Sequence, residues 1–64
     1  MLYRITRSGK VNDMVDPFKA DGEKTAAQKA LEILGFGYGA RDRIAENGAI
    51  ETLNWVGYEL EIVE

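Results

Sequence analysis

The chain has no cysteine and no histidine. Without cysteine there is no disulfide, and without either residue there is no zinc, haem or copper site of the usual ligand types. The same gap removes the commonest general base and the thiol nucleophile, while the only serine, Ser8, falls in an expected turn. A 64-residue domain also has little room for a water-excluding pocket. The expectation is therefore a protein that is not an enzyme and carries no cofactor. Three aspartates, Asp13, Asp16 and Asp21, do not have the spacing of a calcium loop, so no metal is expected either. No apolar run approaches the length of a membrane span, and the first residues, MLYRITRSGK, lack the uninterrupted apolar core of a signal peptide. Together with the missing cysteine, this points to a soluble, cytoplasmic protein. Basic residues are missing from the last third. All eight Lys and Arg lie in residues 1–43 beside six acids, whereas residues 44–64 hold five Glu and no base. The net charge of -3 argues against nonspecific nucleic-acid binding, which draws its affinity from bases neutralising phosphates.

What is present is organised around Thr25 to Asp42, TAAQKALEILGFGYGARD, a short amphipathic helix running into a glycine-aromatic loop. Thr25 followed by Gln28 fits a capping box. Ala27, Ala30, Leu31 and Leu34 recur at the spacing of one helical face, and Gly35 stands where a left-handed residue ends a helix. The spacing predicts a helix over 26–34, lying on a sheet that its alanines let approach closely. A domain this small gains little from burial beyond its own ordering entropy, so self-association as a homodimer or larger homo-oligomer is an expected source of stability.

Leu2 to Arg7 alternates in the manner of a strand, and Ser8-Gly9 is a hairpin turn into a second strand over 10–15. This register sets Arg7 opposite Lys10, Ile5 opposite Asn12, Arg4 opposite Asp13, Tyr3 opposite Met14 and Leu2 opposite Val15. Asp16-Pro17 ends the ladder because proline has no N–H to donate. Residues 41–47 form a short second helix stopped at Asn47-Gly48. Strands follow over 49–54 and 58–63, joined by Trp55-Val56-Gly57. A helix through Ala45, Ala49, Leu53 and Val56 competes with the first of these, but Gly48 inside it would cost about 1 kcal/mol. The fold expected is a single α+β domain, an antiparallel sheet of three to four strands covered by one helix. Its core candidates are Tyr3, Ile5, Met14, Ala27, Ala30, Leu31, Leu34, Ile44, Leu53, Tyr58, Leu60 and Ile62.

Several stretches carry candidate chemistry. Gly22-Glu23-Lys24-Thr25 has the residue types of a phosphate loop, but the motif needs four residues between two glycines and Lys directly after the second. An ordinary helix entry is the better reading, and Lys24 and Thr25 remain anion-site candidates only. Phe18 to Leu34 is similar to the final helix of double-stranded RNA-binding domains, but it lacks the paired lysines at the helix start and a preceding helix to enter a minor groove. Gly35-Phe36-Gly37-Tyr38-Gly39-Ala40-Arg41 combines a free backbone, two stacking faces and, with Arg43, two guanidinium groups suited to a phosphate or carboxylate. A base stacked on Tyr38 with its phosphate on Arg41 is one reading; a tight turn whose aromatics complete the core or a subunit interface is the plainer one. Glu59 and Glu61 project from one face of the last strand, with Glu51 expected across the hairpin and Trp55 at its turn. Such a face meets a basic partner or protects a sheet edge, and pairing of the last strand with the first would set Arg4 beside it.

The leading expectation is a non-catalytic acidic interaction protein that contacts a partner protein through Glu51, Trp55, Glu59 and Glu61. In size and charge it resembles the small acidic accessory proteins of phages and mobile elements, several of which inhibit host defence proteins by direct contact. The alternative is a binder of a nucleotide or other anion, using Lys24, Thr25, Phe36, Tyr38, Arg41 and Arg43 at a subunit boundary.

Overall fold

The computed structural model describes residues 1–7, 9–11 and 15–63, with only the backbone of residue 11. The elements run β1 (Leu2–Arg7), β2 (Lys10–Val11), β3 (Phe18–Lys19), α1 (Glu23–Ile33), α2 (Arg41–Asn47), α3 (Ala49–Trp55) and β4 (Glu59–Ile62). Among the described residues all strand pairings are antiparallel and all involve β1. Thr6 pairs with both Val11 and Glu59, and Tyr3 with both Phe18 and Ile62. Because a strand has two edges, β2 and β3 must share one edge of β1, and β4 holds the other. The α+β class expected from the pattern is the one observed.

Near the turn the first hairpin keeps its expected register, with Arg7 facing Lys10. Further along, Leu2 pairs with Lys19 instead of Val15, and Tyr3 pairs with Phe18. The expected partners Asn12, Asp13 and Met14 lie outside the described residues. Pairing resumes immediately after Pro17, in a two-residue strand too short to leave a periodic signal.

The main helix starts three residues earlier than its sequence pattern implies. Gly22 is its N-cap and its carbonyl accepts the Ala26 N–H at 2.9 Å, so Thr25 lies inside the helix and the expected capping box does not form. Glu23 in the first turn sets a negative charge against the positive helix end. The far end is as expected. Gly35 takes φ 87°, its N–H donates to the Glu32 carbonyl at 3.0 Å, and the Phe36 N–H donates to Leu31 at 2.8 Å. These two bonds are a Schellman stop.

The segment 49–54 is a helix, not the expected strand. The penalty charged against Gly48 does not arise, because Gly48 sits between two helices at φ 89°, ψ 162° and separates α2 from α3. Its carbonyl accepts the Thr52 hydroxyl at 2.7 Å, which satisfies a fully buried polar group. α3 also ends in a Schellman stop, with Gly57 at φ 98° donating to Asn54 and Tyr58 donating to Leu53, both at 3.0 Å. The aromatics after the two stops, Phe36 and Tyr58, meet with ring centroids 6.4 Å apart.

The core lies between β1 and the helices. Ile5, Ala27, Ala30, Leu31, Ala49 and Leu53 form one buried cluster, and Tyr3, Ala20 and Ala26 form a second. Leu34, Ile44, Tyr58 and Leu60 are half-buried against the first cluster. Ile62 is half exposed, contrary to its place among the core candidates, because it lies on an edge strand.

Candidate functional site

The loop after α1 is shaped by three small residues. A Cβ on Gly37 would meet the Glu32 side chain at 3.3 Å, so glycine lets the loop pass tight against α1. Ala40 is buried and accepts the Ile44 N–H at 2.9 Å, which pins the start of α2. At Gly39 a Cβ would meet nothing within 4 Å. The space left there opens into a groove of about 590 Å³ lined by Phe36, Ala40, Arg43, Glu46, Trp55 and Val56, with Gly39 and Asp42 also on its wall.

Trp55 dominates this groove. It is 65% exposed, yet the Arg43 guanidinium carbon lies 3.9 Å from its ring centroid. The cation holds one face of the indole by attraction to the ring quadrupole, worth about 0.5–1 kcal/mol at an exposed site, and leaves the rest of the ring outward. Among the described residues Arg43 Nε has no hydrogen-bond acceptor and Arg43 forms no ion pair, so stacking sets its orientation. A second pair of the same kind stands at the turn, where the Arg41 guanidinium lies 5.7 Å from the centroid of Tyr38, itself 84% exposed.

The expected site residues are therefore regrouped. Phe36 and Arg43, from the anion-binding set, come together with Trp55, from the partner-binding set. Tyr38 and Arg41 form the adjoining pair. Lys24 and Thr25 do not join the groove; both are exposed near the start of α1, where Thr25 lines a separate hollow of about 290 Å³. Glu59 and Glu61 stand on β4 opposite Thr6 and Arg4, and Arg4 Nη2 donates to Glu61 Oε1 at 2.7 Å, as their strand pairing implied. Glu51 lies on α3, so the hairpin that was to bring it beside Glu59 and Glu61 does not exist. Reading 49–54 as a strand is what hid the groove. A helix turning at Val56 carries Trp55 and Val56 back to α2, and the helical spacing of Ala49, Leu53 and Val56 was the signal for it.

No group of three His, Cys, Asp or Glu placed to hold a metal occurs among the described residues, and Asp13 lies outside them. No helix among the described residues is long and apolar enough to cross a membrane. The chain matches no protein-family model, no curated protein and no solved structure.

Proposed function

We propose that the protein is a non-catalytic interaction protein that acts in the cytoplasm by binding another protein. In size and charge it resembles the small acidic accessory proteins of phages and mobile elements, several of which inhibit host defence proteins by contact. One observation carries the reading: an indole 65% exposed, braced by an arginine at 3.9 Å, stands at the mouth of an apolar-walled groove. Tryptophan, tyrosine and arginine are the residues most enriched where protein interfaces concentrate their energy. A partner fits by inserting an apolar side chain between Phe36, Val56 and Trp55. Affinity capture from the native host tests this with two variants that spare the core. Trp55→Ala removes the anchor, and Gly39→Leu fills the groove from a position where a Cβ meets no neighbour. Both variants should lose the captured protein while keeping the native circular dichroism spectrum. Equal capture by all three chains would remove the groove from the reading.

A second reading rests on the Tyr38 and Arg41 pair, which offers an exposed ring for a base and a guanidinium for a phosphate. A thermal-shift screen of nucleotides separates the two. A ligand at 100 times its dissociation constant adds about 2.7 kcal/mol, a visible rise in melting temperature for a small domain. A second copy of the chain is also a partner the groove accommodates; sedimentation across a range of concentrations shows it as a rising mass that Trp55→Ala abolishes.

A further inference from the structure

We propose that the outer edge of β4, a surface apart from the Arg43–Trp55 groove, is a docking site for an extended segment of another protein with alternating basic and apolar residues, which joins the sheet as a further strand. The ladder shows which backbone groups are free. The Val63 N–H donates to the Leu2 carbonyl at 2.8 Å, and bonded residues alternate along an antiparallel pair. Glu59 and Glu61, in phase with Val63, therefore turn their N–H and C=O toward β1, while Leu60 and Ile62 turn theirs outward. The Tyr58 N–H is already taken by Leu53 at 3.0 Å. Among the described residues β4 pairs with β1 alone, so Leu60 and Ile62 present an open edge of the kind that an added strand completes.

The side chains beside this edge specify what fits. On the helical side a cavity of about 260 Å³ adjoins it, with Ile50, Leu53 and Leu60 as apolar lining and Glu23 as a carboxylate. An apolar side chain set opposite Leu60 faces this cavity, because paired residues of neighbouring strands share a face. On the other side of the sheet stand Glu59 and Glu61. Glu61 is shared with Arg4, and Glu59 has no ion pair among the described residues. A second copy of β4 fits poorly in the registers that keep Leu60 paired with an apolar residue. Pairing Leu60 with its own copy sets Glu59 against Glu61, pairing Leu60 with Ile62 sets the two Glu61 against each other, and like charges directly opposite are destabilising. The same carboxylates attract lysine or arginine at the positions facing them.

The probe is a capped peptide of alternating lysine and valine, followed by amide hydrogen exchange and by titration at two salt concentrations. Saturating peptide should slow exchange of the Leu60 and Ile62 amides by about tenfold or more, since strand addition bonds those N–H groups. The double variant Glu59→Lys/Glu61→Lys should bind about tenfold or more weaker, as should a peptide N-methylated on the amides that face β4. Trp55→Ala should bind the peptide as the parent does, whether or not the groove binds its own partner. Unchanged exchange at Leu60 and Ile62 under saturation, or equal binding of the N-methylated peptide, overturns the proposal. So does protection of those amides that grows with protein concentration alone, which would make the second copy the occupant, or loss of peptide binding in Trp55→Ala, which would place the peptide in the groove.

Discussion

α1 buries Ala26, Ala27, Ala30 and Leu31, whereas α2, which follows after one loop, buries no residue at all. Both are regular helices with an acid in the first turn and no base in the last. The difference lies in what holds them. α1 is held by its own face, with Ala27, Ala30 and Leu31 clustered with Ile5 of β1 and with Ala49 and Leu53 of α3, and Ala26 clustered with Tyr3 of β1. α2 is held by its ends and by half-buried Ile44, with Ala40 buried before it and Gly48 turning the chain after it. Its remaining side chains are thereby free for other uses, and two of them, exposed Arg41 and half-buried Arg43, lie over aromatic rings. A helix that contributes little to the core is where a small domain can place recognition at little expense in stability.

That contrast can be broken at α1 first. Leu31→Ala should cost about 2–5 kcal/mol, the range for truncating a buried leucine, read from the midpoint of a urea transition at constant slope. A loss under about 1 kcal/mol would mean that α1 is no more a core helix than α2. Next come the two helix stops. Gly35→Ala and Gly57→Ala should each cost about 1–2 kcal/mol, because an L side chain is strained at positive φ. At both positions a Cβ would meet nothing within 4 Å, so the loss belongs to the backbone alone and should not depend on which small side chain is used. Smaller again is the Arg4–Glu61 pair. Its side chains are 33% and 48% exposed, and a double-mutant cycle should return under about 1 kcal/mol, falling as salt is added. The smallest effect sharpens the contrast most. Trp55→Ala should move stability by only about 0.5 kcal/mol while abolishing partner capture, and a large destabilisation would make Trp55 a structural residue.

How much of this could be read beforehand follows from where each residue's conformation is decided. The helix face of Ala27, Ala30 and Leu31 and its stop at Gly35 are local matters of spacing and positive φ, and both were legible. The last strand was legible for the same reason, since Leu60 and Ile62 alternate with Glu59 and Glu61. The segment after Gly48 was not, because the cost of a glycine depends on whether it lies within a helix or between two. Local propensity does not distinguish these cases; the left-handed φ at Gly48 does. β3 escaped because two residues after a proline carry no period, and its place is set by the edge of β1 that β4 leaves open. The site was half legible. Arginine and aromatic residues flagged Phe36, Tyr38, Arg41, Arg43 and Trp55, but their division into groove and turn depended on α3.

β1 is the strand on which every pairing depends, and its partners come from very different distances along the chain. β2 and β3 follow it within twenty residues, while β4 lies more than fifty residues on. Loop closure over the longer span must precede any gain from the contacts it creates. During synthesis β1 therefore waits with one flank bare until β4 has emerged, and the slow step of folding should be the moment those two strands meet. Substitutions in β4 that favour the extended conformation should quicken it, and changes confined to α2 should leave the rate as it was.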